Sequence, residues 1–352
     1  MHRFIATCYV LNFSKEEPMK KISIIIPTYN GADNLRAHLG NVINQTLSDI
    51  EIIIVNDAST DDTLRVAKDA ETQFPDKVKV IDSPTNNGAG GARNLGLAEA
   101  TGEYIGFIDC DDLVEPTMYE KLYQAAKSYS DIGADVVDSG YYYQAQDNAI
   151  VHTSDEMTGE MDIEKRKAHI VAGGYIVTKL FRREFLQKAF ADGEYFRKNC
   201  ILEDSDFLGV VFSKMQNCVN VKEVLYYYLD AADSSSKTTN PVKYIANINA
   251  AVEAIYEKVS VIENYEDLKE AFEYEMAAML INGLLMVLSD YLENKVLDTK
   301  KEIDNIIVIE KKVITIDLEK NKYIQAKVSQ QDLEIFGEAK KDLDNLLTRI
   351  SK

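Results

Sequence analysis

No apolar run in this 352-residue chain reaches the ~18 residues that a membrane-spanning helix needs. The longest, residues 276–288, is broken by Asn282 and Gly283. Basic residues are outnumbered, 39 Lys and Arg against 58 Asp and Glu, for a net charge of −19. That excludes a bare nucleic-acid backbone binder, whose affinity comes from clustered cations, but leaves room for a nucleotide held through a metal. Cysteine is sparse. Cys8, Cys110, Cys200 and Cys218 form no CxxC pair, so free thiols in a reducing cytoplasm are expected. A GxxxxGK[ST] phosphate loop is absent. Residues 1–18 hold a short apolar piece without a small-residue cleavage site, and they read as an N-terminal extension before Met19-Lys20-Lys21.

What is present begins with Ile22-Ser23-Ile24-Ile25-Ile26, a β-branched run closed by Pro27 that predicts a buried strand. A loop leads to a helix over 33–44, then a strand over 50–55 ends in Asn56-Asp57. Ser59 or Thr60 is the expected cap of the next helix, with Asp61 and Asp62 in its first turn. A strand at 78–81, a glycine-opened helix at 88–100 and a strand at 104–108 follow. Four alternations with short loops predict a parallel sheet covered on both faces. Its carboxyl ends fall along one edge, where open α/β sheets bind ligands. Beyond residue 113 the pattern loosens into a helix at 116–128, a strand at 134–137 and a loop-like stretch at 140–160. In that stretch Tyr141-Tyr142-Tyr143 read as packing residues of an edge. A helix at 203–215 and a strand at 224–229 precede a polar loop at 233–239. From 241 onward the spacing is helical and only Gly283 and Gly337 remain of the glycines.

Asp109 and Asp111, two apart at a strand end, can reach one hard divalent ion through oxygen ligands. An isolated pair of this kind is more often a solvated turn, so neighbouring motifs decide. A dinucleotide fingerprint over 88–96 fails at Arg93, which stands where the third glycine is needed for close helix packing. An EF-hand on Asp109, Asp111 and Glu120 fails at Val114, the position that requires glycine. The remaining account is a nucleoside-diphosphate donor whose leaving group is neutralised by a metal. Asp57 is placed either to accept a hydrogen bond from the base or to cap a helix. Tyr29 either stacks on that base or packs. Arg93 supplies positive charge beside phosphate or ribose, or else pairs with an acid. Glu203 and Asp204 are either acids favoured by a helix N-terminus or the base for an acceptor hydroxyl.

PTYN at 27–30, VNDASTDDT at 55–63, NNGAGGARNLG at 86–96, IDCDD at 108–112 and LED at 202–204 resemble, in order and spacing, the family 2 inverting glycosyltransferases of GT-A fold. The resemblance covers residues 21–230. It implies that Pro27, Tyr29 and Asp57 line a nucleobase pocket, that Asp109 contacts ribose or metal, that Asp111 is the principal metal ligand, and that Asp204 is the catalytic base. Residues 178–186 are similar to the wall below the acceptor site, which makes Lys179, with Glu203, an acceptor contact. One departure stands out. Many members carry a basic residue or histidine after the tyrosine-rich strand, whereas Tyr226-Tyr227-Tyr228 runs here into Leu229-Asp230, away from His2, His38, His152 and His169. Lys237 is the available substitute.

The expected fold is thus α/β, a GT-A, Rossmann-like and mostly parallel sheet flanked by helices. Residues 19–112 form a nucleotide-sugar half, 113–240 an acceptor half and 241–352 a helical C-terminal region. The resemblance implies metal-dependent (Mn2+ or Mg2+) inverting transfer from a nucleoside-diphosphate sugar, UDP favoured. The acceptor is a hydroxyl of a saccharide or lipid-linked saccharide, in cell-surface polysaccharide synthesis. Rival readings are another nucleotidyl or sugar transferase on this fold and a catalytically silent nucleotide-binding scaffold. A cytoplasmic site at the inner membrane face, without a membrane span, is expected, and the helical tail is compatible with a homodimer.

Overall fold

The computed structural model describes residues 19–150, 157–229, 240–294 and 300–350. The extension 1–18, His152 and the polar stretch with Lys237 lie outside the described residues. Strands β1 (Ile22–Thr28), β2 (Ile50–Asn56), β3 (Val78–Asp82) and β4 (Tyr104–Phe107) run parallel in the order β3-β2-β1-β4. Helices α1 (Ala32–Ile43), α2 (Thr63–Gln73) and α3 (Gly88–Glu99) connect them. Ile24, Ile25, Ile52 and Ile53 are wholly buried, because both faces of the sheet are covered and adjacent residues of a strand must then both be apolar. Gly96 of α3 lies so near β1 that a Cβ there would stand 2.5 Å from the Ile25 side chain. Ser59 and Thr60 do not cap α2, which opens after Asp62. They bond Asn30 instead, and the Asp61 carboxylate bridges the N–H groups of Thr63 and Ala32.

Past β4 the sheet becomes mixed. Strand β5 (Leu113–Val114) and helix α4 (Met118–Tyr129) precede β6 (Val136–Tyr143), β7 (Asn148–Ile150) and β8 (Gly159–Glu160). Helix α5 (Ile163–Ala172), β9 (Lys179–Arg182), α6 (Arg183–Ala189), α7 (Glu203–Lys214) and β10 (Asn217–Tyr228) complete this half. β9 sits antiparallel between β4 and β6, while β6 and β10 pair in parallel. The tyrosine triplet 141–143, expected as edge packing residues in a loop-like stretch, lies in β6 with β10 on one side and β7 on the other. β10 starts seven residues earlier than its apolar run, since Asn220, Lys222 and Glu223 surround a register shift between Val221 and Val224.

The C-terminal region is helical, as expected, with helices Pro241–Val259, Tyr265–Asn294, Lys300–Val313 and Gln330–Ile350. Ile248, Phe272, Leu280, Ile306 and Phe336 join the same apolar cluster as Phe207 of α7. One helix meets the length and mean hydropathy of a membrane span although no unbroken apolar run does. Residues Tyr265–Glu293 pass by length and mean hydropathy, 1.4, because an average tolerates the polar interruptions that break an unbroken run. Of that window 61% is buried inside the fold, as in the core helix of a soluble protein.

Candidate active site

The carboxyl ends of β1 and β2 form one wall. Pro27 is buried beside Val55, and Tyr29 beyond it is 52% exposed. The Asp57 N–H donates to the Thr28 carbonyl at 2.9 Å. Its buried carboxylate accepts the Asn87 N–H at 2.9 and 3.1 Å, so it braces the start of α3 and not the helix that follows it in sequence. Burial raises its pKa, opposed by the Asn87 and Gly88 N–H groups. Asn30 and Ala58, which follow Tyr29 and Asp57, both hold left-handed backbone, with φ at +48° and +57°. Such backbone is costly outside glycine and tends to concentrate at functional loops.

The turn after β4 carries three acids with different surroundings. Asp109 accepts a hydrogen bond from Arg93 Nη2 at 2.9 Å. Asp111 has its pKa raised by burial and then by the Asp109 charge, with His38 opposing. Asp112 is buried, accepts the Tyr226 hydroxyl and the Leu229 N–H (2.9 Å), and is pushed up to about 8 by burial and Asp109. It straps the acid turn to the end of β10. Neither Asp112 nor Tyr226 was given a site role from the sequence, although a third acid opposite a tyrosine-rich strand was the available signal. His38 lines a small pocket with Asp109, Cys110 and Asp112, and its buried Nδ1 has no hydrogen-bond partner among the described residues. Burial, then the Asp111 and Asp109 charges, drives the Cys110 thiol up to about 12. Among the described residues no group of three or more His, Cys, Asp or Glu is arranged to hold a metal. Two carboxylates, Asp109 and Asp111, would hold a hard cation only if other oxygen ligands came from outside the protein.

Opposite the turn, Leu202 at φ +63° delivers α7. Its three acids separate by partner. Glu203 is buried and pairs with Arg93, itself 5% exposed. Asp206, fully buried, takes Arg197 Nε at 2.8 Å and Lys258 Nζ at 2.7 Å, which ties the site to the C-terminal helices. Asp204 is left between them without an ion pair among the described residues. Burial, then the Glu203 charge, pushes its carboxyl up to about 6. From the tail, Glu275 is pushed up to about 8 by burial and then by Asp204. No sequence pattern pointed to it.

Three residues expected to contact ligands make internal ion pairs. Arg93 spends both terminal nitrogens on Glu203 and Asp109, so it ties carboxylates together and offers no free charge to a phosphate. Glu203 is correspondingly committed to that ion pair. Lys179 is 2% exposed, pairs with Asp138 at 3.0 Å and donates to the Tyr175 carbonyl at 3.1 Å, so it too is internal. A separate cleft of about 1150 Å³, lined by Arg166, Phe190, Lys214 and Asp267 among others, contains none of the site carboxylates.

The family described as Glycosyl transferase family 2 matches residues 23–190. A Bacillus subtilis (strain 168) protein named "Uncharacterized glycosyltransferase EpsJ" is 32% identical over 226 residues, which are 60% of this chain and 62% of that protein. The matched stretch thus spans less than two thirds of the relative. The crystal structure of S. aureus TarS 1-349 in complex with UDP-GlcNAc superposes with a TM-score of 0.68 at 19% identity, over 93% of this chain and 90% of that one. The mannosyltransferase PcManGT from Pyrobaculum calidifontis, in complex with GDP-Man and Mn2+, gives 0.54 at 16% identity, over 93% and 88%. Coverage of 93% carries the fold likeness into the helical region beyond residue 240. Residues 23–190 thus match a glycosyl transferase family 2 domain, on a fold shared with these glycosyltransferase structures.

Proposed function

We propose that this chain is a metal-dependent inverting glycosyltransferase that moves a sugar from a nucleoside-diphosphate donor to a hydroxyl of a saccharide or lipid-linked saccharide. One observation carries the reading. Arg93 ties Asp109 of the acid turn after β4 to Glu203 in the first turn of α7, the residue before Asp204, and the charges of Arg93 and Asp109 act on Asp204. Asp204 has a proton affinity suited to a general base near neutral pH. It takes the proton of the acceptor hydroxyl, whose oxygen attacks the anomeric carbon. The bond from that carbon to the diphosphate oxygen breaks on the opposite face, its electrons leave with the nucleoside diphosphate, and the configuration inverts. Asp109 and Asp111 are the residues that would hold Mn2+ or Mg2+, whose chemistry when bound is to neutralise the leaving diphosphate. Tyr29 offers an exposed ring to the base, beside Pro27 and Asp57.

UDP is the nucleotide of choice because the TarS structure contains UDP-GlcNAc, and the GDP-Man complex of the mannosyltransferase makes GDP its competitor. A cytoplasmic location at the membrane face and a surface-polysaccharide product complete the reading. The test is to incubate the whole chain with UDP- and GDP-sugars with Mn2+, Mg2+ or EDTA, measure nucleoside diphosphate release and read the product anomer by NMR. One donor consumed only with metal, with inversion, is expected. Neither turnover nor nucleotide-dependent thermal stabilisation would turn the reading to a silent scaffold.

A further inference from the structure

We propose that Tyr175, braced by Tyr141 and Tyr228, is a stacking platform for a neutral pyranose ring of the acceptor; this rests on the transferase reading above. The parallel register sets Tyr141 beside Tyr226, Tyr142 beside Tyr227 and Tyr143 beside Tyr228. Because side chains alternate along a strand, Tyr141, Tyr143, Tyr226 and Tyr228 share one face of the sheet. Tyr226 identifies that face as the one carrying the acid turn, since its hydroxyl bonds Asp112 and accepts the Asp109 N–H at 3.5 Å. Tyr142 and Tyr227 meet on the opposite face, with ring centroids 6.1 Å apart. On the site face Tyr143 lies edge-on to Tyr228 at 5.1 Å.

Tyr175 enters this group from outside the sheet. Its ring meets Tyr141 edge-on at 5.0 Å and Tyr228 at 6.3 Å with a 32° tilt. The Tyr141 and Tyr175 hydroxyls lie near enough to influence each other's ionisation, and burial raises both. Two features fix its place. Gly173 and Gly174, at φ +65° and +135°, turn the chain just before it, in conformations that side-chain-bearing residues rarely adopt. The buried Lys179, locked on Asp138, then holds the Tyr175 carbonyl. Even so braced, the side chain stays 40% exposed, and Asp204 is close enough for its charge to act on the hydroxyl.

An aromatic face beside a carboxylate base suits a ring with one apolar C–H face and a rim of hydroxyls. The Asp204 carboxylate accepts from hydroxyls and disfavours an anionic sugar at this position. The probes are maltose, cellobiose and N,N′-diacetylchitobiose, added to the whole chain with UDP and Mn2+ and read by saturation-transfer NMR. The expected result is saturation of C–H protons on one ring face of at least one disaccharide. Tyr175→Ala should weaken that signal by about tenfold in apparent affinity, while Tyr175→Phe keeps it. The UDP-induced thermal shift serves as the fold control for both variants. No saturation from any of the three sugars in a UDP-binding protein overturns the platform, as does an undiminished signal in Tyr175→Ala. A wild-type chain that fails to consume any donor overturns the transferase reading instead, and the NMR result still judges the platform.

Discussion

Arg93 and Glu203 lie 110 positions apart in the chain and meet as a buried ion pair, with Asp109 on the second arm of the same guanidinium. Removing one partner of such a pair strands a charge away from water, whereas removing both with apolar residues of similar volume is far cheaper. Arg93→Met should therefore destabilise the protein by about 3–5 kcal/mol, and Arg93→Met with Glu203→Leu should recover most of that loss. Urea unfolding of the two singles and the double measures the coupling. Additive losses would mean that the pair is solvated and carries no structural weight.

Asp204→Asn tests the base and has a stability signature of its own. The folded carboxyl is raised to about 6 from the ordinary 3.8, so folding favours its protonated form. The stabilisation that this gives is full below about pH 4 and is lost as pH rises through about 6. A neutral amide escapes the loss. Asp204→Asn should thus lower turnover by about 100- to 10,000-fold and raise stability at pH 7 by about 1 kcal/mol, a gain that vanishes below about pH 4. Wild-type turnover should climb with pH through about 6 and then level off. Thermal melts at pH 4 and 7 beside a pH–rate profile read both signs, and unchanged turnover in the variant would sink the assignment.

Asp111→Ala addresses the cation. Burial and the Asp109 charge make its free carboxylate uncomfortable, and a bound cation would reverse that. In the wild type, UDP with Mn2+ at about 100 times its Kd should stabilise by about 2.7 kcal/mol, and EDTA should abolish the gain. Asp111→Ala should lose the metal-dependent part while its unliganded melting temperature holds or rises. A wild-type UDP shift that is indifferent to EDTA would remove the metal from the reading.

Strands β1, β2 and β4 were legible because both faces of the sheet are buried there, so each is a nearly continuous apolar run ending in a turn residue, whereas β3 at the edge alternates, with Lys79 exposed between Val78 and Val80. The acid turn was legible for the same reason, as polar residues next to a buried strand stand out. The partners of those acids were not. Arg93 sits inside a glycine-opened helix and gives no local hint that it will meet Glu203. Lys179 looks like a surface residue until Asp138 is placed beside it. Tyr141 to Tyr143 divide between two faces of a strand, which only the register with β10 reveals. Glu275 belongs to a helix whose sequence carries no motif, and only its tertiary position brings it to Asp204.

Two glycines predict opposite outcomes for the same substitution. Gly40 lies inside α1, where an added Cβ would have nothing within 4 Å, so Gly40→Ala should stabilise by about 0.5–1 kcal/mol through lower unfolded-chain entropy. Gly90 lies in the first turn of α3, where a Cβ would stand 2.0 Å from the Arg197 carbonyl oxygen, a backbone atom that cannot swing aside. The segment 196–199 is held there by the Asn199 N–H on the Asn87 carbonyl at 2.7 Å and by Asn94 on both polar groups of Phe196. Gly90→Ala must push that segment outward, and with it Leu202 and the start of α7. It should cost about 1–3 kcal/mol of stability and also weaken the Arg93–Glu203 tie, lowering turnover more than nucleotide binding. Melting temperatures of the two alanine variants, together with kcat and the UDP-induced shift of Gly90→Ala, decide the matter. A Gly90→Ala protein as stable and active as the wild type would show that α3 and the 196–202 segment are free to part, and that the site does not depend on their close approach.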